Sequence, residues 1–114
     1  MSQTTGLGEL EVLLVLAVLH LTEHGREAYG SEVKGEVERR TGRDMPRGSI
    51  YVTLDRLEEK GLLASTEGAV SAARGQRPKR LFTVTPQGLE AVKHSLSVLS
   101  RMQRGLEGVL GTTR

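Results

Sequence analysis

The sequence predicts a mainly α chain with one small β-hairpin (α+β), and three observations predict it. Apolar residues recur at helical spacing in four separate stretches. Glycines and a Thr-Pro pair punctuate the ends of those stretches. Two short runs of strand character, 62–66 and 80–85, stand between the third and fourth stretches, separated by a glycine- and arginine-rich segment. At 114 residues the chain has room for one domain with a modest core.

Residues 1–6 are polar and small, and 1–7 read as a loose N-terminal segment. From Gly8 to about Leu21, Leu10, Leu13, Leu14, Ala17, Val18 and Leu21 fall at helical spacing, and Val12, Val15, Leu16 and Leu19 fill the other faces. A helix apolar nearly all round must be buried nearly all round, so a second copy of the chain is expected to cover part of it. Period alone leaves a buried strand open as the alternative for Val12 to Leu19.

Glu23 to Glu27 is a polar connection. A second helix starts near Tyr29-Gly30-Ser31 and runs to Arg40, with Val33 and Val37 as its inward face, and Thr41-Gly42 ends it. Arg43-Asp44-Met45 forms a tight turn. Pro46 then occupies the first turn of a third helix that reaches about Lys60, with Ile50, Leu54 and Leu57 as one apolar stripe. Lys60-Gly61 supplies a cationic last turn and a glycine stop. Leu62 to Thr66 and Arg80 to Thr85 read as strands, and Glu67 to Lys79 has no apolar pattern to hold it down.

Thr85-Pro86 combines an N-cap with proline at the first helical position. The helix that follows is expected to run to residue 110, with Leu89, Val92, Leu96, Leu99, Leu106 and Leu110 on a 3-4 spacing and Met102 beside the polar Gln103. Such a seam suits pairing with another helix, and the domain offers too little to bury it alone. Together with Leu13 and Leu16, these residues (Leu89, Val92, Leu96, Leu99, Met102, Leu106 and Leu110) are the expected homodimer contacts. Helix, turn, helix, strand, basic loop, strand is the order of a winged helix-turn-helix, spanning 8–85, with a dimerisation helix at 86–110 and a tail at 111–114.

The net charge of +2 conceals a segregation. Residues 1–38 carry two bases against seven acids, residues 39–80 ten bases against five acids, and residues 81–114 four bases against two acids. Attraction to phosphates follows local clusters, and the middle third holds them.

On the third helix the apolar stripe turns Gly48, Val52, Asp55, Arg56 and Glu59 outward, with Ser49 and Tyr51 on the flanks. Arg47, Gly48, Ser49, Tyr51, Val52 and Arg56 are the candidates for contact with double-stranded DNA. Gly48 admits close backbone approach, Ser49 bonds a base or phosphate, Val52 meets a thymine methyl, and Arg56 bonds a guanine edge or a phosphate. Tyr29, at the start of the preceding helix, offers a hydroxyl to a phosphate. Arg74, Arg77, Lys79 and Arg80 would grip the backbone from the wing, Arg74 or Arg77 entering the minor groove. The bland alternatives are a solvated helix face, packed tyrosines and an unstructured basic loop.

Other classes find little support. With no cysteine, the chain has neither a disulfide framework nor a Cys-ligated zinc site. The apolar run Val12–Leu19 falls short of the roughly 20 residues a bilayer requires, and no signal peptide opens the chain, so a cytoplasmic protein is expected. His20 and His24 lack a third ligand nearby, and His94 stands apart. No nucleophile-base pair, carboxylate pair or phosphate loop stands out, so neither an enzyme nor a cofactor is expected.

In the pieces AYGSEV, GSIYVTLDRLEEKGLL and RGQRPKRLFTVTPQG, in that order and spacing, the chain resembles the PadR family of bacterial transcriptional regulators over roughly residues 8–110. The resemblance implies a winged-helix fold, a dimer held largely by the terminal helices, and repression at a palindromic promoter site. The short segment after Thr85 resembles the compact branch with a single C-terminal helix. A small-molecule effector stays open; the few aromatic residues offer little for a stacking pocket. The rival reading is a winged helix that docks an acidic protein without specific DNA recognition.

Overall fold

The computed structural model describes residues 6–68 and 79–111. Helix α1 spans Glu9–Glu23, which removes the strand alternative. Its start is fixed by Glu11, whose Oε1 accepts from the Gly8 amide at 2.9 Å. Leu14, Val15, Ala17, Val18 and Leu21 are buried, whereas Leu10, Val12, Leu13, Leu16 and Leu19 are only partly covered. The chain thus buries one face of a helix that is apolar on several.

Helix α2 spans Gly30–Thr41, burying Val33 and Val37, and ends at Gly42 in the left-handed conformation at φ 72°. Helix α3 spans Arg47–Glu59. Pro46 stands one place earlier than expected, as the residue before the helix rather than in its first turn; its ψ of 134° is extended. Ile50, Leu54 and Leu57 are fully buried, as their spacing requires.

Strands β1 (Leu63–Glu67) and β2 (Arg80–Val84) pair antiparallel, Leu63 opposite Val84 and Glu67 opposite Arg80. A third piece of backbone joins them: the Phe82 amide donates to the Ala28 carbonyl at 3.0 Å, and Tyr29 forms an isolated bridge with Leu81. The hairpin is thereby anchored to the start of α2. Phe82 then enters one core with Leu14, Val18, Val33, Ile50, Leu54 and Leu57. Full burial of each such side chain contributes about 1.5–3 kcal/mol.

Helix α4 spans Pro86–Gln103. Thr85 caps it, its Oγ1 accepting from the Gly88 amide at 2.9 Å while donating to the Gly61 carbonyl at 2.7 Å. The expectation of an unbroken helix to residue 110 is corrected here. The chain leaves α4 at Arg104, which is extended, and Gly105 takes φ 89°; a separate turn, α5 (Glu107–Leu110), follows. A left-handed residue cannot continue a right-handed helix, and Glu107 fixes the break by accepting from the Gly105 amide at 3.0 Å. The leucine spacing continued across this break and so concealed it.

Among the described residues, helices α1 to α3 with the two-stranded wing make a winged helix-turn-helix, and α4 with the short α5 forms a C-terminal helical extension. Among the described residues, no helix is long and apolar enough to cross a membrane.

Candidate nucleic-acid interface

Because Ile50, Thr53, Leu54 and Leu57 point into the core, the opposite face of α3 is in solvent: Gly48, Ser49, Val52, Asp55, Arg56 and Glu59 are exposed. Val52 is 54% exposed, and among the described residues it is the one large apolar side chain left in water outside α4 and the segment after it.

The two tyrosines divide between packing and exposure. Tyr51 is half-buried, its ring seated on Gly30 at the first position of α2; a Cβ on Gly30 would fall 2.8 Å from the Tyr51 hydroxyl. Tyr29, also half-buried, precedes α2, whose first turn lacks a side-chain cap. The Arg47 guanidinium lies 5.6 Å from the centre of the Tyr51 ring, and Lys79 Nζ lies 5.4 Å from that of Tyr29. These pairs bring α2, α3 and the base of the wing to one cleft of about 530 Å³.

Ion pairing sorts the basic residues of the middle third. Arg39 and Arg40 both bind Glu36, the latter at 2.6 Å. Arg43 binds Glu9 at 3.2 Å, and Lys60 binds Glu11 at 2.6 Å. Arg80 is 2.7 Å from Asp55 and 3.3 Å from Glu58, so its charge is met within the protein. The expected phosphate contact of Arg80 would therefore share the guanidinium with these carboxylates. Arg47, Arg56 and Lys79 have no carboxylate partner among the described residues, and all three belong to α3 or the wing base. Arg74 and Arg77 lie outside the described residues.

Glu36 is nearly fully buried, and the Arg40 hydrogen bond, with Arg39 adding to it, outweighs burial and holds its carboxyl below the usual glutamate range. Two arginines counted toward the basic middle are therefore spent on a structural acid. Sequence reasoning missed this, along with the Asp55–Arg80 pair and the seating of Tyr51 on Gly30. The i+3 and i+4 spacing of Arg39 and Arg40 after Glu36 was a visible signal for the first.

The expected subunit contacts are also sorted. Val92 is 1% exposed and packs into the core of the chain itself, so it is withdrawn as a dimer contact. Its place on the inner side of α4 follows from the same periodicity that put it on the seam. Leu89, Leu96, Leu99, Met102, Leu106 and Leu110 are exposed, and Leu13 and Leu16 are partly covered. Between α1 and α4 lies an apolar groove of about 640 Å³ whose lining includes Val12, Leu13, Leu16, Leu96 and Leu99.

Comparison with known proteins places residues 16–94 on the transcriptional regulator PadR-like family. A curated transcriptional regulator of Mycobacterium tuberculosis is 33% identical over 92 residues, covering 79% of this chain and 81% of that protein. Among solved structures, a PadR-like transcriptional regulator from Bacillus cereus superposes with a TM-score of 0.64 at 20% identity, covering 90% of this chain and 94% of the other. A transcriptional regulator from Clostridium thermocellum gives a TM-score of 0.68 at 15% identity, covering 87% of each chain.

Proposed function

Since the chain belongs to the PadR-like family of transcriptional regulators, we propose that it acts by binding duplex DNA sequence-specifically as a homodimer, most simply as a repressor occupying a palindromic promoter site. Residues 8–85 form the DNA-binding unit in this reading, and 86–110 the dimerisation segment.

The observation that carries it is the sorting of charge. Among the described residues of the basic middle third, Arg39, Arg40, Arg43, Lys60 and Arg80 lie on carboxylates, while Arg47, Arg56 and Lys79 form no ion pair, on α3 and at the wing base. Unpaired cations attract phosphates without a prior ion pair to break. Ser49, Val52 and Arg56 read base edges from the α3 face, Val52 through a thymine methyl. Two such helices, about 34 Å apart across a twofold axis, read successive turns of one groove.

The test is binding to the duplex upstream of the protein's own coding region and to a scrambled duplex, at low and near-physiological salt. Tighter binding to the native duplex that survives the higher salt supports the reading. Equal binding to both that collapses with salt leaves phosphate attraction alone, and moves the reading toward a module that docks an acidic protein.

A further inference from the structure

The three histidines of the chain gather around one apolar surface. His94, exposed on α4, borders the groove of about 640 Å³ together with Leu13, Leu16, Leu96 and Leu99. His20, half-buried on α1, lines two smaller hollows that share Leu16 with that groove. One, of about 210 Å³, includes Leu19; the other, of about 110 Å³, lies against α2 at Val37. His24 follows one turn later, its ring centre 6.4 Å from that of His20 and its plane 15° from parallel. Its Nδ1 donates to the His20 carbonyl at 2.6 Å, so Nε2 is the atom that takes up a further proton.

A second copy of the chain is the occupant this surface suits. Apart from Val52, every large apolar side chain exposed among the described residues lies on α4 or after it. The groove carries that apolar surface on to α1 through Val12, Leu13 and Leu16. A twofold contact sets one patch against itself, and here a ridge of leucines stands beside a groove of the same chemistry.

We propose that protonation of His20 and His94 opens this subunit contact, making the dimer sensitive to pH between about 5 and 8. The proposal rests on the homodimer reading above and adds its regulation. Covering an imidazole with apolar side chains disfavours the charged form, and twofold symmetry counts each histidine twice. The separated chains therefore bind more protons than the dimer, and association strengthens as pH rises. The charges around the histidines leave that sign in place. Glu36 and Arg40 face His20 from α2, but Arg39 and Arg40 already hold that carboxylate. Glu9 faces His94 from α1 and is bound to Arg43, while Lys93 beside His94 pairs with Glu90. Glu23 shares the larger hollow with His20 but is exposed to water. None of the ion pairs among the described residues includes a histidine.

The test is sedimentation velocity on a dilution series of the full chain at pH 7.5 and 5.5, with circular dichroism checking the fold at each. Both values lie above the range in which Glu36 takes up its proton. The wild-type dissociation constant should rise about tenfold or more at pH 5.5, as for one imidazole whose proton affinity the contact lowers about tenfold. The double variant His20→Gln, His94→Gln should give one constant at both pH values, and each single variant should keep part of the dependence. A wild-type constant that is unchanged, or that falls on acidification, overturns the proposal. So does a double variant that keeps the wild-type dependence or is monomeric throughout. A folded wild type that is monomeric at both pH values fails the homodimer reading instead, so the two failures are distinguishable.

Discussion

The Asp55 carboxylate holds the Arg80 guanidinium at 2.7 Å, fastening the second strand of the wing to the helix beside it. Glu58 extends the link, lying 3.3 Å from Arg80 and accepting from Ser65 Oγ of the first strand at 2.7 Å. The second strand is thus tied to α3 by partly exposed ion pairs, each contributing at most about 1 kcal/mol, and the first by a hydrogen bond. The substitution Asp55→Asn should therefore leave thermal stability nearly unchanged. It also leaves Arg80 with Glu58 as its one carboxylate partner among the described residues and removes a negative charge from the outward face of α3. Affinity for a scrambled duplex at low salt should rise several-fold, and discrimination in favour of the native duplex should fall. Fluorescence anisotropy with the two duplexes measures both; unchanged discrimination would show that the link does not aim the wing.

Gly30→Ala tests the seating of Tyr51. A methyl group there collides with the ring, which must leave. Because the ring is only half-buried, it can swing into solvent, so the stability cost should stay near 1 kcal/mol, below the range for a rigid overpacked core. DNA affinity should drop far more than stability. A urea titration alongside a binding isotherm separates the two; a large loss of stability with intact binding would place Tyr51 in a packing role only.

Glu36 gives a pH prediction. Its carboxyl is held below the usual glutamate range in the fold, chiefly by Arg40, against an unfolded value near about 4.3. A depressed folded value adds stability above the unfolded value, and that stability is lost as pH falls through the folded one. Stability should accordingly decline on acidification below about pH 4.3, and Glu36→Gln should flatten that decline while lowering stability at neutral pH. Urea midpoints across pH 3 to 7 are the measurement; parallel curves for the two proteins would assign the acid loss to other carboxylates.

Leu99→Glu addresses the dimer. Leu99 is 55% exposed on α4 and borders the groove against α1, so the substitution should leave the protomer folded. If α4 pairs with a second copy there, a buried charge opposes association, and the wild-type dimer should become a monomer in sedimentation velocity. A variant that stays dimeric would remove this face from the subunit contact.

Thr85→Ala should cost about 1–2 kcal/mol, the range for an N-cap, with the bond to the Gly61 carbonyl placing it toward the upper end. Thr85→Ser should restore most of it in urea unfolding. Equal losses for both would point to the methyl group rather than the hydroxyl.

Much of the fold was legible because its signals are local. The stripe of Ile50, Leu54 and Leu57 located α3 and also its outward face, and Thr85-Pro86 located the start of α4 to the residue. Gly105 went unread since the leucine repeat continues past it, and a repeat reports side chains, not backbone dihedrals. Val92 was misassigned for a related reason: a helix buries one side and offers another, and spacing alone does not say which partner covers a given leucine or valine. At the site, exposure of Val52 and Arg56 followed from period, but the Asp55–Arg80 pair joins residues 25 positions apart and has no local signature.

The first turn of α1 reaches both ends of α3. Glu9 binds Arg43 in the turn before that helix, and Glu11 binds Lys60 at its close. The same helix lines the apolar groove with Leu13 and Leu16. Helix α1 is therefore a crossbar: in the homodimer proposed above, a change in how two copies meet along that groove would reach α3 through two anchor points, one before its start and one at its close.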